Sequence, residues 1–384
     1  MSKQRNEAFR NSCLTPVYQN AAYFFDSTEQ IIQYHQGQTN LGRYGRYDSP
    51  NWLECEAAIA TLDGYDNALI FSSGMNAIVT TLCTFLEQGD TILYTGKCYR
   101  KIRSFVTQVL PKWGIGVVPM EYGDRPGEGG QAIPEAMTNA KIAFVEMPSN
   151  PHLYLTDLAQ IRAQIGPDAL MVVDSTLATP YNLQPKRWGA DLTLHSCSKY
   201  MGGHGDLIAG SVAGSEELIE KIRTYRNMMG GVLESQTAAL LSRSLTTFAM
   251  RMEHFNGEGM KVAQFLETHP KIKRVFYTGL ESHPHYGLAK KYLTGHGGLI
   301  SFELAADGDE TSKFVDALQV PFMGTNFGSS DAMVEQCSVF TYYNSTPAER
   351  ESLEISDSLI RLSIGHGDSD ALITDIDRAL DIAL

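Results

Sequence analysis

The chain has 384 residues, 43% of them hydrophobic and 20% charged, with a formal net charge of −13. That is the balance of a globular protein with room for two or three domains, and the acidity argues against a nucleic-acid or anionic-membrane surface, which needs clustered Lys and Arg. No apolar run approaches the ~18 residues of a membrane span, and the N-terminus lacks the apolar core of a secretory signal. Cys13, Cys55, Cys83, Cys98, Cys197 and Cys337 form no C-x-x-C pair. They read as reduced packing thiols, which fits a cytoplasmic location.

Residues 1–50 are polar, rich in Tyr, Gln and Asn, and show little periodicity. They are expected to form an arm that packs on a neighbouring subunit. From residue 51, helical patterns alternate with short apolar runs at Ala68–Phe71, Thr91–Tyr94, Ile142–Val145, Leu170–Val173 and Leu192–Leu194, with a further candidate at Leu207–Ala209. This alternation predicts an α/β fold with a mostly parallel sheet covered on both faces, and such sheets place ligands at the carboxyl ends of their strands. A helical stretch from Thr237 to Glu267 leads to strand candidates at Val275–Tyr277, Gly297–Glu303 and Leu359–Ser363, and a final helix runs from Ala371 to Leu384. The expected division is the arm over 1–50, a large domain over 51–245 and a small α+β domain over 246–384.

Four strand ends carry the chemistry. Ser72-Ser73-Gly74-Met75 precedes a helix, and small residues there let backbone N–H groups approach an anion. In Glu146-Met147-Pro148-Ser149-Asn150-Pro151 the prolines fix the backbone and aim Asn150 at a ligand. Asp174 closes an apolar run, where a carboxylate can bind a metal, orient a ribose or pair with a cationic ring nitrogen; Thr176 is placed to hold it. Lys199, in His195-Ser196-Cys197-Ser198-Lys199-Tyr200 before Gly202-Gly203-His204-Gly205, suits an amine nucleophile beside a phosphate site. Each motif alone also reads as a turn, a cap or a surface lysine. In this order they meet the needs of pyridoxal 5′-phosphate: an amine for the aldehyde, an acid for the ring nitrogen, and donors for the phosphate. No metal site is expected. A dinucleotide oxidoreductase fails for want of a G-x-G-x-x-G turn.

On these residues the chain resembles the Cys/Met-metabolism family of pyridoxal-phosphate enzymes, which includes cystathionine γ-synthase, cystathionine β- and γ-lyases, methionine γ-lyase and O-acylhomoserine sulfhydrylases. The resemblance runs from about residue 13 to the C-terminus. It also takes in Tyr44-Gly45-Arg46, Gly189-Ala190-Asp191, Leu245 to Met252, Tyr277-Thr278-Gly279-Leu280, Ser282-His283-Pro284 and Arg361-Leu362-Ser363-Ile364-Gly365.

The resemblance implies fold type I, aspartate-aminotransferase-like, with a seven-stranded sheet. It also implies a homotetramer built from tight dimers, with active sites shared across subunits. Tyr44 and Arg46 would reach the partner's cofactor phosphate. Ser73, Gly74 and Met75, with Ser196 and Ser198, would hold that phosphate. Tyr99 would stack on the ring and exchange protons, and Lys199 would move the Cα proton. Asp174 and Thr176 would serve the ring nitrogen. Arg361 would clamp the substrate α-carboxylate, and Asn150 would orient cofactor or carboxylate. The implied activity is γ-replacement or γ-elimination on a γ-activated homoserine-type or sulfur amino acid, through an external aldimine and a vinylglycine-type intermediate. A β-eliminating C–S lyase is the enzymatic alternative. A non-catalytic protein of the same fold is the other, against which Lys199, Asp174, Tyr99 and Arg361 speak together.

Several positions depart from the family pattern. Tyr99 is followed by Arg100-Lys101-Ile102 where small residues are usual. Those cations either turn to solvent or a subunit contact, or meet an anionic leaving group or nucleophile such as a phosphate ester. Asn326, in Gly324-Thr325-Asn326-Phe327-Gly328, replaces a serine that helps hold the substrate carboxylate and offers a longer donor. Thr325 is neutral where cystathionine-handling members often carry an acid, so cystathionine is a weaker candidate. Tyr342, Gly367 and Glu234-Ser235-Gln236-Thr237 also differ, which points to a non-standard substrate.

Overall fold

The computed structural model describes residues 14–39, 42–122, 131–132 and 139–384. Cys13 and the first part of the expected arm lie outside these residues. Within the arm, Thr28–His35 forms a helix (α1) that its weak periodicity did not announce; the Ser27 hydroxyl caps it by accepting the Gln30 N–H. No α1 residue is buried within the chain.

The helix Pro50–Asp63 (α2) leads into the large sheet. Its strands are Asn67–Phe71 (β1), Thr91–Thr95 (β2), Gly116–Tyr122 (β3), Gln131–Ala132 (β4), Ile142–Glu146 (β5), Leu170–Asp174 (β6), Leu192–His195 (β7) and Gly210–Gly214 (β8). They lie in the order β1-β8-β7-β6-β5-β2-β3, with the two-residue β4 added at the edge. From β7 to β3 all neighbours pair in parallel, while β8 runs antiparallel to both β1 and β7. Successive side chains of a strand point to opposite faces. Accordingly, Ile92, Phe144, Val172 and Leu194 enter one buried cluster, and Leu93, Val145, Met171 and Val173 enter another. Burying each such side chain contributes roughly 1.5–3 kcal/mol. Double coverage explains why these strands read as continuous apolar runs.

One strand expectation is corrected. Leu207–Ala209 is not a strand: pairing begins at Gly210, and Ile208 is exposed. β3 was not foreseen. The stretch Thr237–Glu267 is two helices, Ser235–Leu245 and Phe248–Thr268, joined at Thr246–Thr247.

A second sheet consists of Ile272–Phe276 (β9), Leu299–Leu304 (β10), Phe322–Met323 (β11), Met333–Gln336 (β12) and Leu359–Ser363 (β13), in the order β11-β12-β13-β10-β9. Its pairs are antiparallel except β11 with β12. Phe302, Ile360 and Leu362 pack with Phe255 and Val262 of the helix Phe248–Thr268 and with Leu372 and Ile376 of the last helix, Ser369–Ala383. Among the described residues no helix is long and apolar enough to cross a membrane. Cys55, Cys83, Cys98, Cys197 and Cys337 are free thiols.

Candidate active site

A cavity of about 780 Å³ opens where the carboxyl ends of β1, β5, β6 and β7 meet residues 325–327 and β13. Ser73, Gly74, Met75, Tyr99, Asn150, Asp174, Thr176, Ser196, Ser198, Lys199, Asn326 and Arg361, all read from sequence as site residues, line it. Tyr44 and Arg46 do not; they border a separate depression with Trp52 and Glu234.

The helix Gly74–Phe85 (α3) starts at the cavity wall. The Ser73 hydroxyl accepts the Asn76 N–H at 3.1 Å, so the cap is occupied one position beyond the open Gly74 and Met75 amides. Those first amides and the helix dipole favour an anion. The approach is close: a Cβ at Gly74 would stand 2.9 Å from the Ser196 Cβ. The Ser198 hydroxyl is engaged with Ala209, accepting its N–H at 3.0 Å and donating to its carbonyl at 3.2 Å.

Asp174 ends β6 and is buried. Its Oδ1 accepts the Thr176 hydroxyl at 2.6 Å and the Thr176 N–H at 3.0 Å. Burial raises its pKa, and Thr176 opposes the shift. In the paired strand, Glu146 stands in register with Asp174. It is driven well above the carboxylate range by burial and then by the Asp174 charge. Glu146 accepts the Tyr99 N–H at 2.7 Å and the Asn150 N–H at 3.0 Å, so one buried side chain fixes both cavity loops.

Lys199 donates to Asn326 Oδ1 at 2.6 Å, and its ammonium lies 4.8 Å from the Phe327 ring centre. Burial, with the Arg361 charge adding to it, lowers Lys199 to about 8. Arg361 projects from β13, donating to Asn150 Oδ1 at 3.2 Å and pairing with Glu335 at 3.0 Å. With its oxygen held by Arg361, Asn150 presents the amide nitrogen as its remaining polar group. Glu335 and Glu146 were not read as functional: Glu146 opens the motif that carries Asn150, but its contacts with Tyr99 and Asp174 come from other elements, and nothing local marks Glu335, whose partner Arg361 stands on the neighbouring strand.

Arg100 and Lys101 also line the cavity, from the first turn of the helix Arg100–Gln108 (α4). Among the described residues neither has an ion-pair partner. No group of three metal-ligating side chains capable of holding an ion occurs among the described residues.

A desolvated lysine, a carboxylate held by a hydroxyl on the neighbouring wall and a helix N-terminus around one cleft fit a phosphorylated pyridine aldehyde. The fold and this donor set define a fold type I pyridoxal-phosphate enzyme. The profile of the family described as "Cys/Met metabolism PLP-dependent enzyme" matches residues 1–381. "Cystathionine gamma-synthase 1, chloroplastic" of Nicotiana tabacum is 37% identical over 368 residues, covering 96% of this chain and 68% of that protein. "L-methionine gamma-lyase" of Pseudomonas putida is 35% identical over 370 residues, covering 95% of this chain and 92% of that protein. The solved cystathionine gamma synthase from Xanthomonas oryzae pv. oryzae, in complex with aminoacrylate and cysteine, matches with a TM-score of 0.89 and 27% identity, over 99% of this chain and 96% of that one. The chain belongs to the Cys/Met metabolism family of PLP-dependent enzymes, and pyridoxal phosphate is its cofactor.

Proposed function

We propose that this enzyme carries out γ-replacement or γ-elimination on a homoserine-type amino acid whose γ-substituent is anionic. The observation that carries the reading is the shared cavity: Arg361, Lys199 and the cations Arg100 and Lys101 all line it, from different elements. Arg361 supplies a planar donor pair for an α-carboxylate. Arg100 and Lys101, without an ion-pair partner among the described residues, supply positive charge for a second anionic group, which a phosphate or dicarboxylate ester would bring.

Pyridoxal phosphate, joined to Lys199, supplies an electron sink that acidifies the Cα hydrogen of a bound amino acid. The residues do the rest. Lys199, with its pKa lowered to about 8, is a base poised close to neutral pH for the Cα proton. Asp174 holds positive charge at the ring nitrogen. Tyr99 takes or returns a proton at Cβ or on the departing group. Arg361 and Asn150 keep the α-carboxylate in place while the γ-bond breaks. Tyr44 and Arg46 reach a partner subunit's phosphate site, in a dimer-of-dimers assembly. A cytoplasmic location suits the free thiols.

The test is turnover of O-phospho-, O-succinyl- and O-acetyl-L-homoserine with and without L-cysteine. Thioether formation marks replacement, and 2-oxobutanoate with ammonia marks elimination. Preference for the anionic esters is expected. Pyruvate from L-cystathionine, with all three esters inert, would instead identify a β-lyase.

A further inference from the structure

Among the described residues, Leu153, Thr179 and Glu354 are the non-glycine residues with left-handed backbone, at φ 58°, 65° and 59°. The residues on either side of Leu153 both contact Glu354. The His152 Nε2 lies 3.1 Å from the Glu354 carbonyl oxygen. The Tyr154 hydroxyl donates to Glu354 Oε2 at 2.5 Å. Lys97 Nζ reaches the same oxygen at 3.0 Å, and sits 5.1 Å from the centre of the Tyr154 ring.

Position 354 is one where glycine would be free of strain and any side chain is not. At Glu354 this conformation closes the helix Pro347–Ser352: the Glu354 N–H donates to the Glu351 carbonyl at 3.0 Å and the Ile355 N–H to the Arg350 carbonyl at 2.8 Å. The helix cap accounts for the backbone and leaves the side chain's contacts to be explained. The Glu354 side chain is 45% exposed, and a half-exposed ion pair contributes little to folding. Its carboxyl is held ionised all the same: burial opposes this, but the Tyr154 hydroxyl and Lys97 outweigh it.

The connections show what the contact can do. Lys97 stands two residues before Tyr99, on the loop that leaves β2. Glu354 stands on the chain that enters β13, the strand bearing Arg361. Between them Tyr154 packs in a buried cluster with Phe276, Leu353, Ile355 and Leu359. The loop carrying Tyr154 also carries Asn150, which meets both Glu146 and Arg361.

We propose that Lys97 and Glu354 are positioning residues that tie the Tyr99 loop to the Arg361 strand, and so set the span between the ring-stacking tyrosine and the carboxylate clamp. The proposal rests on the reading of Tyr99 and Arg361 as serving one bound amino acid. The tie acts on geometry, and an error of about 1 Å in such geometry costs up to about a hundredfold in rate.

Glu354→Gly is the informative variant, because it removes the carboxylate and the strain together. The holoenzyme should keep its cofactor absorbance and melt at an equal or higher temperature. Its kcat/KM should nevertheless fall about tenfold to a hundredfold. Lys97→Met should produce a similar loss, and the double variant should be no worse than either single one, as for two ends of one connection. A second readout is the absorbance change on titrating glycine, which has an α-carboxylate but no γ-substituent. Both variants should bind it more weakly. If the parent binds glycine yet turns over no homoserine ester, the proposed reaction fails while this test still runs. Unchanged glycine affinity in both variants, or losses that add in the double variant, would overturn the tie. So would a lower melting temperature in Glu354→Gly that accounts for its lost activity.

Discussion

Arg361 Nη2 lies 3.0 Å from Glu335 Oε1, and both side chains are almost fully shielded from water. The other oxygen of Glu335 accepts the Thr341 hydroxyl at 2.6 Å, so the carboxylate is held on both sides. This pair fixes the direction of the guanidinium at the cavity wall. Taking away one charge of a buried pair costs about 3–5 kcal/mol, because the other charge is left uncompensated. Glu335→Gln is therefore expected to lower unfolding free energy by that order in urea titrations. Because an α-carboxylate restores a counter-charge to Arg361, a saturating amino acid should stabilise the variant more than the parent. Equal stability of variant and parent would show that Glu335 does not carry the negative charge that holds Arg361.

Lys199 titrates at about 8 instead of 10.5, chiefly through burial. The folded value lies below the unfolded one, so between these two pH values the native state binds fewer protons. This group's contribution to stability therefore rises with pH across that window and is lost below it. The neutral amine is the form that attacks an aldehyde. Covalent uptake of pyridoxal phosphate by the apoprotein should accelerate with pH and level off above a midpoint near 8, as followed by borohydride trapping at position 199. A midpoint near that of an ordinary lysine would mean that the cavity does not desolvate it.

How much of this was legible differs from residue to residue. Lys199, Asp174, Asn150 and the Gly74 turn were readable because each sits just after an apolar run, in a short motif whose residue types suit one chemistry. β8 was placed too early because Leu207-Ile208-Ala209 looks apolar, whereas the strand itself is Gly-Ser-Val-Ala-Gly. Small residues are required there: a Cβ on Gly210 would come within 2.3 Å of the Ser73 carbonyl oxygen. Propensity counts glycine against a strand, while close packing against the α3 cap selects it. Glu354 was invisible for another reason, since its partner Tyr154 lies 200 residues away in the chain. Local pattern carries no information about such a meeting.

Asp174 has little freedom of movement, since Thr176 holds Oδ1 twice where the residue lines the cavity. Asp174→Asn keeps the shape but removes the charge proposed to serve the ring nitrogen. The expected loss in kcat is on the order of 10²–10³, the scale for removing one preorganised electrostatic partner. Borohydride trapping at Lys199 should persist, because that bond forms at the aldehyde. Steady-state rates and trapping on the same preparation separate the two effects. Retained kcat would remove Asp174 from the reaction.

Arg100 and Lys101 should discriminate between substrates by charge. A hydrogen bond to an ionised group is worth about 1.5–3 kcal/mol, so losing one contact corresponds to about a tenfold to a hundredfold loss of affinity. Replacing both residues with glycine should raise KM for the O-phospho and O-succinyl esters by about that factor and leave the O-acetyl ester little changed. Equal KM changes for all three esters would assign these cations to solvent or to a subunit contact.

Gly203 tests how the loop after Lys199 is held. It has φ +73°, and a Cβ there would fall 1.8 Å from Arg251 Nη1. Arg251 Nη1 donates to the Tyr200 carbonyl, and its Nη2 donates to the Met201 carbonyl at 3.0 Å and the Ser244 carbonyl at 2.9 Å. A methyl group at 203 must therefore displace the guanidinium and orphan those carbonyls, as well as strain the backbone. Each lost charge-assisted bond carries about 1.5–3 kcal/mol, so Gly203→Ala should destabilise by about 3 kcal/mol or more in urea titrations. Gly257, inside the helix Phe248–Thr268, has nothing within 4 Å of its added Cβ. Gly257→Ala should stabilise by about 0.5–1 kcal/mol, the ordinary helix gain. The opposite signs separate a steric demand from glycine's general flexibility. If Gly203→Ala proved neutral, Arg251 would be free to move, and the carbonyls beside Lys199 would owe it nothing.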